Sequence, residues 1–198
     1  MIIGIDFDNT IADYTRVFHS VALTLGWVPE SIGTTKSDVK SYLIHEYSEE
    51  KWTELQGLVY GRDIHKARPY EHCFNVLKEM KRKGHTLKVV SHKTIHPVIG
   101  DKVNFHNAAF EWLEANKLIN HHDSPLARED IYFNETKDKK IDCIRSLGCQ
   151  FFIDDLISIF EHKHFPENCE KILFTPSHDQ SIDLVTSVHS WQEIAQIL

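Results

Sequence analysis

Five short apolar runs punctuate this chain, and each breaks off into polar residues before the next begins. They are Ile2–Ile5, Leu87–Val90, Ile131–Phe133, Phe151–Ile153 and Ile172–Phe174. Runs of three or four residues, the second interrupted by Lys88, are too short for buried helices and fit strands covered on both faces. Between them the spacing turns helical. Phe74, Leu77 and Met80 share one face ahead of Gly84, and Phe110 and Leu113 mark a helix over about 103–116. Lys139 to Ile144 belong to a helix closed by Gly148, and Trp191 to Leu198 form a last one. Strands alternating with helices predict a parallel sheet with right-handed crossovers. The expected fold class is α/β, a Rossmann-like three-layer parallel sheet core.

One stretch departs from that alternation. Val17, Val21 and Leu25 line one face of a helix over about 12–27, with Gly26 as its stop. Two further helices are expected over about 37–47 and 49–60, the second with Ser48 as its N-cap. Aromatics (Tyr42, Tyr47, Trp52, Tyr60) sit among many charges here, and no β-rich run occurs. Pro69 is expected to open the helix that follows. The predicted organisation is an α/β core domain over 1–12 and 67–198, with a small helical insertion over 13–66. A length of 198 residues suits one domain with an insertion, or two small domains.

Composition excludes several classes. Hydrophobic residues at 41% and charged residues at 26% are ordinary globular usage, which rules out disordered and fibrous chains. A net charge of −7 argues against a nucleic-acid-wrapping protein or one that coats an anionic membrane. No apolar run approaches the roughly 18 residues needed to span a bilayer. Met1–Asp6 lacks the basic start of a secretory signal, and Cys73, Cys143, Cys149 and Cys169 form no C-x-x-C pair. Reduced thiols in a cytoplasmic protein are the expectation. His162, His164 and Cys169 supply only three of the four ligands of a structural zinc site, and Glu161–His164 reads as a solvated face.

Function is written at the strand ends. The first run ends in Asp6 and Asp8, the second in Ser91, and the fourth in Asp154 and Asp155. Ligands of open α/β sheets bind at the carboxyl ends of strands, so parallel neighbours would gather four carboxylates and a hydroxyl at one edge. Carboxylates that close repel and call for a cation, and an oxygen-only donor set suits Mg²⁺. An Asp-x-Asp-x-Thr arises by chance roughly once in thirty chains of this length, given average residue usage. A strand before it, a hydroxyl ending a later strand and an acidic pair ending another make coincidence a poor explanation.

The motifs resemble those of the haloacid dehalogenase-like (HAD) superfamily of phosphohydrolases. Asp6-Phe7-Asp8-Asn9-Thr10 is similar to its first motif, Ser91 to its second and Asp154-Asp155 to its fourth. Lys140 fits the third best, with Lys137 and Lys139 as competitors. The resemblance covers about residues 1–14 and 67–175, and the insertion falls where the family places its first type of helical cap. It implies that Asp6 is the nucleophile and Asp8 the general acid and base. Ser91 and Lys140 would complete the catalytic set. Asp6, the Asp8 carbonyl and Asp154 would hold Mg²⁺, with Asp155 acting through water. Asn9, Thr10, Ser91, His92, Lys93 and Lys140 are the expected substrate-binding residues. The implied activity is Mg²⁺-dependent hydrolysis of a small phosphorylated metabolite, with no nucleic-acid or membrane partner. The second Asp favours phosphate chemistry over dehalogenation, because a departing alkoxide needs a proton.

Other readings differ in residue order or charge. A response-regulator receiver would carry its acidic pair on strand one and its acceptor Asp on strand three. A two-metal nuclease would want a basic stripe for its substrate. A catalytically silent member acting as a phosphate-ligand binding module, or a phosphotransferase, remains as the alternative. The sequence carries no signature of an oligomeric state.

Overall fold

The computed structural model describes residues 1–176 and 184–198. In chain order these form β1 (Ile2–Ile5), β2 (Ala12–Asp13), α1 (Val17–Thr24), α2 (Lys36–Glu46), α3 (Glu49–Tyr60), β3 (Arg68–Pro69), α4 (Cys73–Arg82) and β4 (Thr86–His92). Then follow α5 (Phe105–Ala115), β5 (Ile131–Asn134), α6 (Lys137–Ser146), β6 (Phe151–Asp154), α7 (Ile157–Phe160), β7 (Glu170–Phe174), β8 (Thr186–Val188) and α8 (Trp191–Ile197). The chain divides into two compact units. An α/β unit comprises Met1–Ala12, Pro69–Lys93 and Glu114–Leu198, and a helical unit comprises Asp13–Arg68 and Thr94–Leu113.

Six parallel strands in the order β5-β4-β1-β6-β7-β8 build the α/β unit. The fold class expected from the sequence is the one observed. Its three chemically marked strands are the three central neighbours: Ile5 lies opposite Val89 of β4 on one side and Ile153 of β6 on the other. Asp6, Ser91 and Asp154 therefore end up on one edge. β1 is sealed on both faces, and Gly4 shows how tightly. A Cβ there would run into the Phe152 ring and lie 2.9 Å from Cys149 Sγ. Around it Val90, Ile141, Ile144, Phe152, Phe160 and Leu173 form a buried cluster. Burying each such side chain contributes roughly 1.5–3 kcal/mol.

Local signals explain how the helices stop. At Gly84 (φ +86°) the His85 N–H reaches the Met80 carbonyl at 3.1 Å, and the Gly84 N–H reaches Lys81 at 3.0 Å. Gly148 (φ +67°) closes α6 in the same way, through Cys149 to Ile144 at 3.3 Å. Both are Schellman endings that need a left-handed residue, as the sequence suggested. Two starts differ from expectation. Pro69 lies in a strand, not at a helix start, because the next N–H, that of Tyr70, bonds the Ile11 carbonyl at 3.0 Å and keeps the backbone extended. α4 begins at Cys73, after a left-handed His72. α1 starts late, at Val17, because Asp13 Oδ1 accepts the Thr15 N–H at 2.7 Å and Arg16 is left-handed.

The helical unit packs aromatics. Phe18 stacks on Trp52 at 5.1 Å, Tyr14 meets Tyr60 edge-on at 5.1 Å, and Tyr60 meets Phe105 at 6.5 Å. Thr35 and Asp38 cap α2 reciprocally, and Ser48 accepts the Lys51 N–H at the start of α3, as expected. Residues 94–113, which the sequence reading leaves with the core domain, cluster with this unit. Gly57 of α3 and Gly61, just after it, admit them: a Cβ on Gly57 would lie 3.0 Å from Pro97, and one on Gly61 3.1 Å from Phe105. Trp112 then donates its indole N–H to the Ala67 carbonyl at 3.0 Å. Among the described residues, no helix is long and apolar enough to cross a membrane.

Candidate active site

Where β1 ends, the chain turns at once. The Asp6 N–H still bonds the Ile153 carbonyl of β6 at 2.9 Å. Beyond it, the Phe7 carbonyl accepts the N–H groups of Ile11 (3.0 Å) and Ala12 (2.9 Å), and the Asn9 N–H bonds the Ala12 carbonyl at 2.9 Å. Asn9 takes φ +60°, a conformation Asn tolerates better than most residues. Phe7, between the two acids, is buried with its ring edge-on to Phe133 at 5.9 Å.

Lys140 organises the buried acids. It sits four residues into α6, whose N-cap Thr136 accepts the Lys139 N–H at 3.2 Å. Its side chain is 2% exposed, and its Nζ donates to Asp6 Oδ1 and Asp154 Oδ2, each at 2.5 Å. Asp154 Oδ1 accepts the Leu156 N–H at 2.9 Å, so both oxygens of that carboxylate are engaged. Asp6, Asp154 and Asp155 each offer one oxygen, and these three atoms lie within 4.8 Å of one another. A second lysine, Lys93, pairs with Asp8, its Nζ 2.7 Å from Asp8 Oδ2. The carboxylates of Asp6, Asp154 and Asp155 form an all-oxygen donor set, the kind that suits Mg²⁺.

The electrostatics follow from burial. Desolvation is the largest influence on Asp6 and pushes its carboxyl up to about 7; Lys140 pulls it down, while Asp154 and Asp8 push it further up. Burial works against the Lys140 ammonium, but Asp154 and Asp6 outweigh it and hold the group above its ordinary range. Partial desolvation of the ring also lowers His92, although the residue as a whole is exposed, against the pull of the Glu135 carbonyl 3.2 Å from its Nε2.

The structure thus brings together Asp6, Asp154, Asp155 and Lys140 as one cluster, with Asp8 beside it on Lys93. Ser91 is buried at the end of β4. Of the competing lysines, Lys139 is exposed and Lys137 reaches Ser158 Oγ at 3.0 Å instead. Other expected binding residues are placed differently. His92 is exposed and turned to Glu135, while Thr10 has no exposed surface and its carbonyl accepts the Trp191 indole N–H at 3.0 Å. Asn134 escaped the sequence reading. Its carbonyl accepts the Lys93 N–H at 2.8 Å, and its amide donates to the Ser91 carbonyl at 3.4 Å. The available signal was the one used for Ser91, a polar residue closing an apolar strand.

No protein-family model matches the sequence, and no curated protein matches it. Solved structures do match in fold. A predicted phosphatase from Clostridium acetobutylicum superposes with a TM-score of 0.63 at 17% identity, covering 99% of this chain and 96% of that one. A HAD family hydrolase from Deinococcus radiodurans R1, with bound phosphate and sodium, gives 0.61 at 14% identity over 98% and 92%. The HAD-hydrolase YfnB from Bacillus subtilis, bound to magnesium, gives 0.54 at 11% identity over 99% and 97%. The chain has the fold of the HAD-superfamily hydrolases.

Proposed function

We propose that the protein is a Mg²⁺-dependent phosphatase of the HAD type that hydrolyses a small-molecule phosphate monoester through an aspartyl-phosphate on Asp6. One observation carries this reading: a buried lysine, Lys140, bonded at 2.5 Å to both Asp6 and Asp154 at the carboxyl ends of adjacent central strands. The likeness to hydrolases that bind phosphate or magnesium supports it.

In the first half-reaction a carboxylate oxygen of Asp6 attacks phosphorus, and the bond from phosphorus to the ester oxygen breaks. Asp8 gives its carboxyl proton to that departing oxygen. Water then attacks phosphorus, Asp8 takes up its proton, and inorganic phosphate leaves with the Asp6 carboxylate restored. Ser91 donates to a phosphoryl oxygen, and the Lys140 ammonium offsets the charge that develops there while fixing the orientation of Asp6. The carboxylates of Asp6, Asp154 and Asp155 and the Asp8 carbonyl would hold Mg²⁺, which when bound neutralises phosphoryl charge. Substrate choice is assigned to the helical unit as the family's cap, and the protein to the cytoplasm.

Phosphate release over a panel of phosphorylated metabolites, with and without Mg²⁺, tests the reading. Release should require Mg²⁺, and Asp6→Asn and Asp8→Asn should each lose nearly all of it. Wild-type rates in either variant would overturn the assignment.

A further inference from the structure

We propose that Lys93 is a positioning residue that fixes which oxygen of Asp8 carries the transferable proton. The inference rests on the reading of Asp8 as general acid and base. Sequence proximity to Ser91 suggested instead that Lys93 contacts the substrate phosphate, and the geometry points elsewhere.

Three features set the Lys93 ammonium in place. Along the end of β4, side chains alternate: Ser91 and Lys93 are buried, and His92 between them is exposed. The Lys93 N–H bonds the Asn134 carbonyl at 2.8 Å, which continues the β4–β5 pairing one residue beyond β4. The side chain is 2% exposed, and its Nζ lies 5.3 Å from the centre of the Phe7 ring. An ammonium this buried needs a partner, and Asp8 Oδ2 supplies one at 2.7 Å.

The bond to Lys93 then fixes how the Asp8 carboxyl is turned. A lysine ammonium has three donors and no acceptor, so Oδ2 accepts from it. The carbonyl oxygen of a protonated carboxyl accepts better than its hydroxyl oxygen, so the proton favours Oδ1, and turning the carboxyl over to present Oδ2 would break the bond to Lys93. The lysine thereby presents one fixed oxygen as donor in the first half-reaction and as acceptor from water in the second. Holding the proton donor in register is the kind of positioning on which general acid catalysis depends.

Contact with phosphate and positioning of Asp8 separate by leaving group. A phosphate contact serves every ester alike. Positioning of Asp8 matters only where the departing oxygen needs a proton, as an alkyl alkoxide does and p-nitrophenolate does not. The full chain carrying Lys93→Met is compared with wild type in kcat/KM, which reports the step that expels the leaving group. The substrates are the best alkyl monophosphate of the metabolite panel and p-nitrophenyl phosphate. For the alkyl ester, kcat/KM should fall on the order of 10²-fold, and for p-nitrophenyl phosphate less than about 5-fold, the range general acid catalysis supplies. Inhibition by inorganic phosphate should stay within about 3-fold, since no phosphate contact is lost. Lys93→Arg, which keeps a donor at Oδ2, should recover most of the alkyl ester rate. The ratio of the two substrates is read within one preparation, so a lower folded fraction does not alter it. Equal losses on both substrates, or a large weakening of phosphate inhibition, would overturn the proposal while leaving the phosphatase reading intact. A wild-type protein that releases no phosphate from either ester would overturn both.

Discussion

Lys140→Met removes the charge that holds two buried carboxylates together while keeping much of the side-chain volume. Asp6 and Asp154 are 4% and 0% exposed, and Lys140 is the lysine bonded to both. Removing one partner of a buried ion pair costs about 3–5 kcal/mol, because the remaining charge stays desolvated. For a chain of this length each kcal/mol lowers Tm by about 2–4 °C, so the expected drop is about 6–20 °C in EDTA. The size should depend on pH. The native Asp6 carboxyl, raised from 3.8 to about 7, keeps its proton where the unfolded chain has lost it, so its contribution to stability falls as pH rises across that window. Without Lys140 the native value moves higher still and the window widens upward. The loss in Tm should therefore be greater at pH 8 than at pH 5. Mg²⁺ should raise the Tm of Lys140→Met more than that of wild type, since a cation can take over the lost positive charge. Thermal melts followed by circular dichroism at both pH values, with EDTA and with Mg²⁺, test this. A drop below about 2 °C at pH 8 in EDTA, far under the cost of an unpaired buried charge, would refute the reasoning.

Other perturbations probe separate parts of the account. Gly4→Ala puts a methyl group against Phe152 and Cys149 at less than 3 Å and should destabilise by about 1–3 kcal/mol in urea titration, with an unchanged m-value. The buried thiols should resist DTNB at pH 8 until the chain unfolds, since burial pushes Cys149 up to about 11 and Cys169 up to about 12. Asp154→Asn deletes a carboxylate of the acidic cluster and should abolish the Mg²⁺-dependent rise in Tm expected of wild type; an undiminished rise would place the cation elsewhere.

Much of the α/β unit was legible because its signals are local. β1, β4 and β6 are central strands, so they read as mostly apolar runs, broken in β4 only by the half-buried Lys88, and their polar ends mark the sheet edge. β8 was missed because an edge strand need not be apolar, and Thr186-Ser187-Val188 carries no such run. Helical spacing separates Lys139 from Lys140, since residues 137, 140, 141 and 144 share a face. It does not separate Lys137, which the fold turns to Ser158. Strand alternation distinguishes Lys93 from His92, yet its partner Asp8 lies 85 residues away and leaves no trace in the local pattern. The grouping of residues 94–113 with 13–68 is hidden for the same reason, because it depends on how closely Pro97 and Phe105 approach Gly57 and Gly61.

The central claim is that Asp6 becomes phosphorylated, and acid-quench labelling reads that event itself. Wild-type protein mixed with Mg²⁺ and a ³²P-labelled ester it turns over should retain label that is stable in acid and released by hydroxylamine, as an acyl phosphate is. Peptide mapping should place the label on Asp6, and Asp6→Asn should carry none. Turnover with no such label under single-turnover quench, or label on another residue, would contradict the account.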